Sequence, residues 1–186
     1  MSEVTEMIYV FIADGFEEVE AIATVDMLRR CGIDTITVGI GSQMVIGSHN
    51  MGLVCDVEDK FVQANNSIDA VVLPGGMPGT TNLENSEKVQ SFIDFAVEND
   101  RYICAICAAP SILGHKGLLD GKKATSFPSF SNQLGKAEYT DELVTIDGKI
   151  ITAKGAGAAW LFGKTIAQEF VGKEKAEEVY DSIQHE

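Results

Sequence analysis

Four short apolar runs rich in β-formers, each leading into a glycine-punctuated or helix-periodic stretch, constrain this chain more than any other feature. Met7–Ala13, Thr35–Ile40, Asp69–Leu73 and Tyr102–Ile106 are continuous rather than alternating. Such runs suit strands covered on both faces, as in a parallel sheet. Between and after them the spacing predicts helices. Glu18–Arg30 should turn Val19, Ile22, Ala23, Val25 and Leu28 mostly inward, with Arg29 and Arg30 favouring its carboxyl end and Gly32 stopping it. Ser86–Glu98 should do the same with Val89, Phe92, Ile93 and Val97. A helix starts over Ala108–Leu113, and Ala158–Phe170 and Lys173–Ile183 close the chain, with Trp160 and Phe162 as core. Residues 42–58 read as a short hairpin, and Val144–Thr152 as another that turns on Asp147-Gly148. Alternating strands and helices give an α/β sandwich around a mostly parallel sheet. With no linker, low-complexity tract or repeat in view, residues 1–186 are read as one domain.

Composition excludes several functions. Acidic residues number 28 and basic residues 14, a formal net charge of −14, so a phosphate backbone is repelled and no basic patch answers it. Ordinary apolar and charged fractions, 45% and 23%, exclude a disordered, collagen-like or membrane-spanning chain. Cys31, Cys55, Cys104 and Cys107 are too sparse for a disulfide scaffold, and His49, His115 and His185 stand apart from them, so no zinc site is expected. No Gly-x-Gly-x-x-Gly follows the first strand and no P-loop exists, so no nucleotide cofactor is expected either. The first six residues carry no positive region, and the apolar run behind them is too short for a signal peptide or a span. The expectation is a cytoplasmic chain with reduced thiols.

Sites in open α/β sheets form beyond the carboxyl ends of the strands. Three such ends carry chemistry here: Asp14–Glu20, Pro74-Gly75-Gly76 and Cys107-Ala108-Ala109-Pro110. Cys107 stands where a strand turns straight into a helix, with small neighbours and Pro110 suited to a first helical turn. That is the strained arrangement used by nucleophiles. Free helix N–H groups favour an anion there, and a drop of about 3 units from a free value near 8.5 corresponds to ~4 kcal/mol. The alternative is a small buried hydrophobe. Cys104-Ala-Ile-Cys107 also matches C-x-x-C, but strand alternation should turn the two side chains to opposite faces, leaving Cys104 in the core. Glu17 and Glu18 suit a helix amino end and nothing more. Glu20 lies on the inward side, where a buried carboxyl beside a thiolate would share one proton with it. Gly75-Gly76 is either a plain turn or a pair of N–H donors for an oxyanion, and Gly155-Ala156-Gly157 is similar.

Gly15-Phe-Glu-Glu-Val-Glu20 with Val25-Asp-Met-Leu-Arg-Arg30, Val71-Val-Leu-Pro-Gly-Gly76, Ala105-Ile-Cys-Ala-Ala-Pro110 and Lys154-Gly-Ala-Gly157 together resemble the ThiJ/PfpI (DJ-1) superfamily, and its DJ-1-type branch, over nearly the whole chain. The resemblance implies a flavodoxin-like three-layer α/β/α sandwich that homodimerises. The hairpin at 42–58, hard to cover within one sandwich, points the same way. It also implies that Cys107 is the reactive, oxidation-sensitive cysteine, Glu20 its protonated partner, and Gly75, Gly76 and Ala108 the backbone turns around the thiol. Departures narrow the function. Ala108 stands where the protease-like branch has a histidine, so a cysteine peptidase loses its base. Phe127-Pro128 stands where DJ-1-type members often have His-Pro, Gly155-Ala156-Gly157 where Gly-Pro-Gly is usual, and His49 roughly where the branch has an arginine near the dimer interface.

The first reading is an enzyme of the glutathione-independent glyoxalase or deglycase type, a hydro-lyase or hydrolase without cofactor. In it the Cys107 thiolate adds to a small aldehyde such as methylglyoxal or to a glycated substrate. The second is a non-enzymatic peroxide sensor or stress chaperone, in which Cys107 oxidises to a sulfinate held by Glu20. Cysteine peptidase and thiazole monophosphate biosynthesis are the remaining family labels. No residue argues for the latter, and neither nucleic acid nor membrane is an expected partner.

Overall fold

The computed structural model describes residues 7–184; residues 1–6 and 185–186, His185 among them, lie outside them. The strands are β1 (Met7–Ile12), β2 (Asp34–Gly39), β3 (Met44–Ile46), β4 (Gly52–Val54), β5 (Val57–Glu58), β6 (Ile68–Leu73), β7 (Tyr102–Ile106), β8 (Lys123–Ala124), β9 (Glu138–Tyr139), β10 (Val144–Asp147) and β11 (Ile150–Ala153). The helices are α1 (Glu18–Arg30), α2 (Gly79–Glu84), α3 (Glu87–Glu98), α4 (Pro110–His115), α5 (Ala159–Val171) and α6 (Lys173–Ser182). Seven strands form one sheet in the order β10-β11-β7-β6-β1-β2-β5. Its pairs are parallel except β10–β11, the hairpin that turns on Asp147-Gly148. β3 and β4 pair as a separate hairpin, and β8 with β9 as a separate parallel pair.

The apolar runs are continuous because both faces of the sheet are covered. Along β1, Ile8, Val10 and Ile12 join Ala21, Met27 and Leu28 of α1 and Phe162 and Ile166 of α5. Tyr9 and Phe11 face the other way, onto α3, where both rings meet Phe92 at centroid distances of 5.2 and 4.8 Å. β7 divides likewise, Cys104 and Ile106 to the first layer, Ile103 and Ala105 to the second. The protein is therefore a flavodoxin-like three-layer α/β/α sandwich with a mostly parallel sheet. Among the described residues no helix is long and apolar enough to cross a membrane.

Three helix assignments need correction. Val19 and Ile22 do not turn inward: each is 48% exposed, and the buried face of α1 carries Glu18, Glu20, Ala21 and Thr24 as well as Ala23, Val25, Met27 and Leu28. Both faces of this helix are partly apolar, so apolar spacing alone cannot orient it. In α3, Val97 is exposed and Ser86 is the cap, its hydroxyl accepting the Val89 N–H, rather than the first helical residue. Phe162 is buried as expected, whereas Trp160 is only partly covered.

The order β11-β7-β6-β1 brings four carboxyl ends side by side. The chain runs outward from β1 through β2 to β5, then returns to β6 on the other side of β1. A crevice opens at such a reversal, and the loops after β1, β6, β7 and β11 surround it.

Candidate functional site

Cys107 occupies the left-handed region at φ 65°, a conformation that costs a non-glycine residue roughly 1–2 kcal/mol. Backbone bonds on both sides hold it there. Its N–H donates to Ala153 O at the end of β11 (2.9 Å), and its carbonyl accepts the Phe127 N–H (2.8 Å). Pro110 opens α4 at its first turn, as its missing N–H allows. The positive φ also ends the strand alternation. Cys107 packs against the same apolar cluster that holds Cys104, so the expected opposite facing of the C-x-x-C pair does not occur. Cys104 is wholly buried in β7, and all four cysteines are free thiols.

Glu20 reaches the thiol from α1. Glu17 caps that helix with its carboxylate on the Glu20 N–H (2.7 Å), and the Glu17 N–H donates to Gly75 O (2.9 Å), tying the helix start to the loop after β6. Glu20 is 1% exposed. Its Oε2 accepts the Gly75 N–H at 2.9 Å, and its Oε1 is buried with no hydrogen-bond partner. Gly75 has to be glycine: a Cβ there would stand 2.6 Å from both Cys107 Cβ and Glu20 Oε2. Gly76, at φ +90°, carries the turn onward.

Burial lifts the Glu20 carboxyl to about 7; the Cys107 thiol and the Gly75 N–H oppose the rise and the Glu17 charge adds to it. Burial and the Glu20 carboxylate push the Cys107 thiol up to about 12, against the N–H groups of Ala108 and Gly76 that favour the thiolate. The expectation of a depressed thiol pKa is thereby corrected. α4 is only six residues long, and its amino end does not outweigh desolvation beside a carboxylate. Instead the pair loses a first proton near pH 7 and holds the second together. Transfer of the shared proton from sulfur to the Glu20 carboxylate would leave a thiolate favoured by two backbone donors beside a neutral carboxyl, an arrangement chemically able to pair a nucleophile with a proton donor.

Glu18 holds more than a helix end. It is 2% exposed, its Oε1 accepts the His49 N–H (2.7 Å), and its Oε2 meets His49 Nδ1 (2.8 Å) and the Ser48 hydroxyl (3.3 Å). Burial works to raise its pKa, yet the His49 side chain and the N–H groups of His49 and Met51 hold it at about 2. Glu17, Glu18 and His49 are the ligating side chains that converge among the described residues. With both Glu18 oxygens spent on the β3–β4 hairpin, the trio fastens that hairpin to α1. His115 pairs with Glu84, so neither described histidine serves Cys107 as a base. Gly155 and Phe127 complete the site wall. A Cβ on Gly155 would stand 3.5 Å from Phe127 Cδ2 and 3.9 Å from Glu20 Oε1. The signal for Gly155 lay in topology, since it follows a strand neighbouring β7.

Fold and site together define a flavodoxin-like α/β sandwich in which a strand-to-helix turn places a strained cysteine beside a buried glutamate. The chain belongs to the DJ-1/PfpI family, whose sequence model matches residues 6–169. The crystal structure of Drosophila melanogaster DJ-1beta superimposes with a TM-score of 0.91 at 36% identity, covering 97% of this chain and 98% of that one. Protein DJ-1 homolog B of Arabidopsis thaliana is 37% identical over 93% of this chain, which spans 40% of that longer protein. A Caenorhabditis elegans protein named as a glutathione-independent glyoxalase is 31% identical over 86% of this chain and 85% of its own length.

Proposed function

We propose that this protein converts small α-oxoaldehydes such as methylglyoxal into 2-hydroxy acids, with Cys107 as nucleophile and Glu20 as the proton-moving acid and base. The observation that carries the reading is the buried, unpartnered Glu20 Oε1 beside a strained cysteine. The similar nematode protein's name, glutathione-independent glyoxalase, supports the same chemistry.

The Cys107 thiolate adds to the aldehyde carbon, and the new alkoxide is protonated to a hemithioacetal. Glu20 carboxylate removes the C–H proton and returns it to the neighbouring carbon as the ketone becomes an alcohol, leaving a thioester. Water then releases the 2-hydroxy acid and restores the thiol. The aldehyde carbon is oxidised and its neighbour reduced by the same electron pair, so no cofactor is called for. The N–H groups of Gly76 and Ala108, which already favour negative charge on sulfur, steady the charge that develops on and beside it, with Gly75 holding Glu20 in register. A single domain spanning residues 1–186, working in the cytoplasm as a homodimer, fits this reading.

Lactate formation from methylglyoxal is the test. Wild type should produce it, Cys107→Ala should abolish it, and Glu20→Gln should lower kcat about 100-fold or more, the scale of one general acid–base group. Equal turnover by Cys107→Ala would end the proposal. The peroxide-sensor reading is favoured by a separate observation: Cys107 is partly exposed while Cys31, Cys55 and Cys104 are buried. The two readings share one thiol, and lactate output separates them.

A further inference from the structure

Three hydrogen bonds close a ring at the start of α1. The Glu17 N–H donates to Gly75 O (2.9 Å), the Gly75 N–H donates to Glu20 Oε2 (2.9 Å), and the Glu20 N–H donates to Glu17 Oε2 (2.7 Å). Both ends of Glu20, its backbone and its carboxyl, are therefore fixed relative to the loop after β6. That loop is pressed between helix and thiol. A Cβ on Gly76 would stand 2.3 Å from the Glu17 nitrogen, and one on Gly75 would stand 2.6 Å from Cys107 Cβ. Removing the Glu17 side chain would open the ring at the one bond that a side chain supplies to the Glu20 backbone.

Glu17 also brings charge to a poorly solvated place, since its side chain is only 17% exposed. Among the described residues no lysine or arginine pairs with Glu17 or Glu20. The cation that faces Glu17 is His49, whose Nδ1 lies 4.0 Å from Glu17 Oε1 but 2.8 Å from Glu18 Oε2. That ring is 67% exposed and engaged by Glu18, so solvent screens it and little of its charge offsets Glu17. The groups that face Glu20 are Glu17 and the Cys107 thiol, with no cation between them. A like charge this near disfavours ionisation of a buried carboxyl, and the Glu17 charge acts on Glu20 in that direction.

We infer that Glu17 is a positioning residue for the Cys107–Glu20 pair: its carboxylate holds Glu20 against the thiol, and its charge sets the pH at which the pair gives up a proton. The inference rests on the thiol–carboxyl pair of the proposed function, whatever substrate that pair attacks. It gives Glu17 a task that a helix cap alone does not have. A neutral cap would satisfy the same N–H and leave the pair to ionise at lower pH.

The test compares wild type with Glu17→Gln, Glu17→Ser, Glu17→Asp and Glu20→Gln. Gln and Ser keep an acceptor at the cap without charge, and Asp keeps both. One measurement is the pH profile of Cys107 alkylation by iodoacetamide. The other is the titration of the Glu20 carboxyl carbon followed by NMR. Wild type and Glu17→Asp should show a step near pH 7 in both. Glu17→Gln and Glu17→Ser should move that step down by about 0.5 unit or more. A step that stays at the wild-type pH in both neutral variants, or moves up, would overturn the inference and leave Glu17 a cap. A shift in alkylation without a matching shift of the carboxyl signal would overturn it too, since Glu17 would not then act through Glu20. If wild type shows no step that Glu20→Gln removes, the pair falls and the inference with it. Absence of lactate formation with the shifts intact would end the glyoxalase reading alone and leave the role of Glu17 standing.

Discussion

At the scale of single residues, the decisive quantity is where one proton sits. Cys107 was legible in the sequence because a β-run broken by Cys-Ala-Ala-Pro allows few junctions other than a strained turn. Its ionisation was not legible. The N–H groups at a helix start argue for a low thiol pKa, but the thiol's burial and Glu20's charge are products of packing and dominate. Glu20 stands apart from Glu17 and Glu18 by its inward place in the helix, but its pairing with Cys107 becomes definite only through the family resemblance. Its raised pKa has a consequence for stability. A carboxyl that titrates near 4.5 when unfolded and about 7 when folded favours the folded state at low pH. That contribution is complete below about 4.5 and is lost as pH rises to about 7, a change of about 3 kcal/mol. Denaturant titrations at pH 4.5 and pH 8 should therefore show wild type losing stability relative to Glu20→Gln by roughly that amount. Parallel pH dependence in the two proteins would mean that Glu20 does not titrate as described.

Elements are legible in the sequence where they are central and obscure where their covering is nonlocal. β1, β6 and β7 are buried on both faces and announce themselves by uninterrupted apolar runs. α1 does not, because its outward face carries Val19 and Ile22 and its inward face carries Glu18 and Glu20. The fate of Glu18 depends on residues 47–49 arriving from the β3–β4 hairpin, a contact no window around residue 18 contains. Gly47 lets the two approach closely, since a Cβ there would stand 2.2 Å from Glu18 Oε1 and push that carboxylate aside. Hairpin and helix together expose Val19, Ile22, Ile46 and Val54. Ile22 and Val54 line one shared depression. This face is where we propose the homodimer forms. Sedimentation at micromolar concentration should give twice the 20.0 kDa chain mass for wild type, and Ile22→Glu should shift it to the single chain. A wild-type protein of single-chain mass under those conditions would refute the dimer.

At the scale of the whole molecule, the sandwich was legible because its determinants are local: strand runs, helix periods and glycine-rich ends alternate in chain order. The site was legible only as separate ends. Strand order makes it a site by placing the ends of β1, β6, β7 and β11 in a row, so that Glu20 from one helix, Gly75 from one loop and Cys107 from another meet. This convergence gives a thiol and a carboxyl that share one proton. The most direct test is the pH profile of iodoacetamide labelling, followed peptide by peptide, in wild type and Glu20→Gln. Cys107 should label faster than Cys31, Cys55 and Cys104, with a rate that climbs as the first proton leaves near pH 7, and the step near 7 should vanish in Glu20→Gln. Labelling of Cys107 no faster than the buried thiols, or the same step near 7 with Gln at position 20, would contradict it.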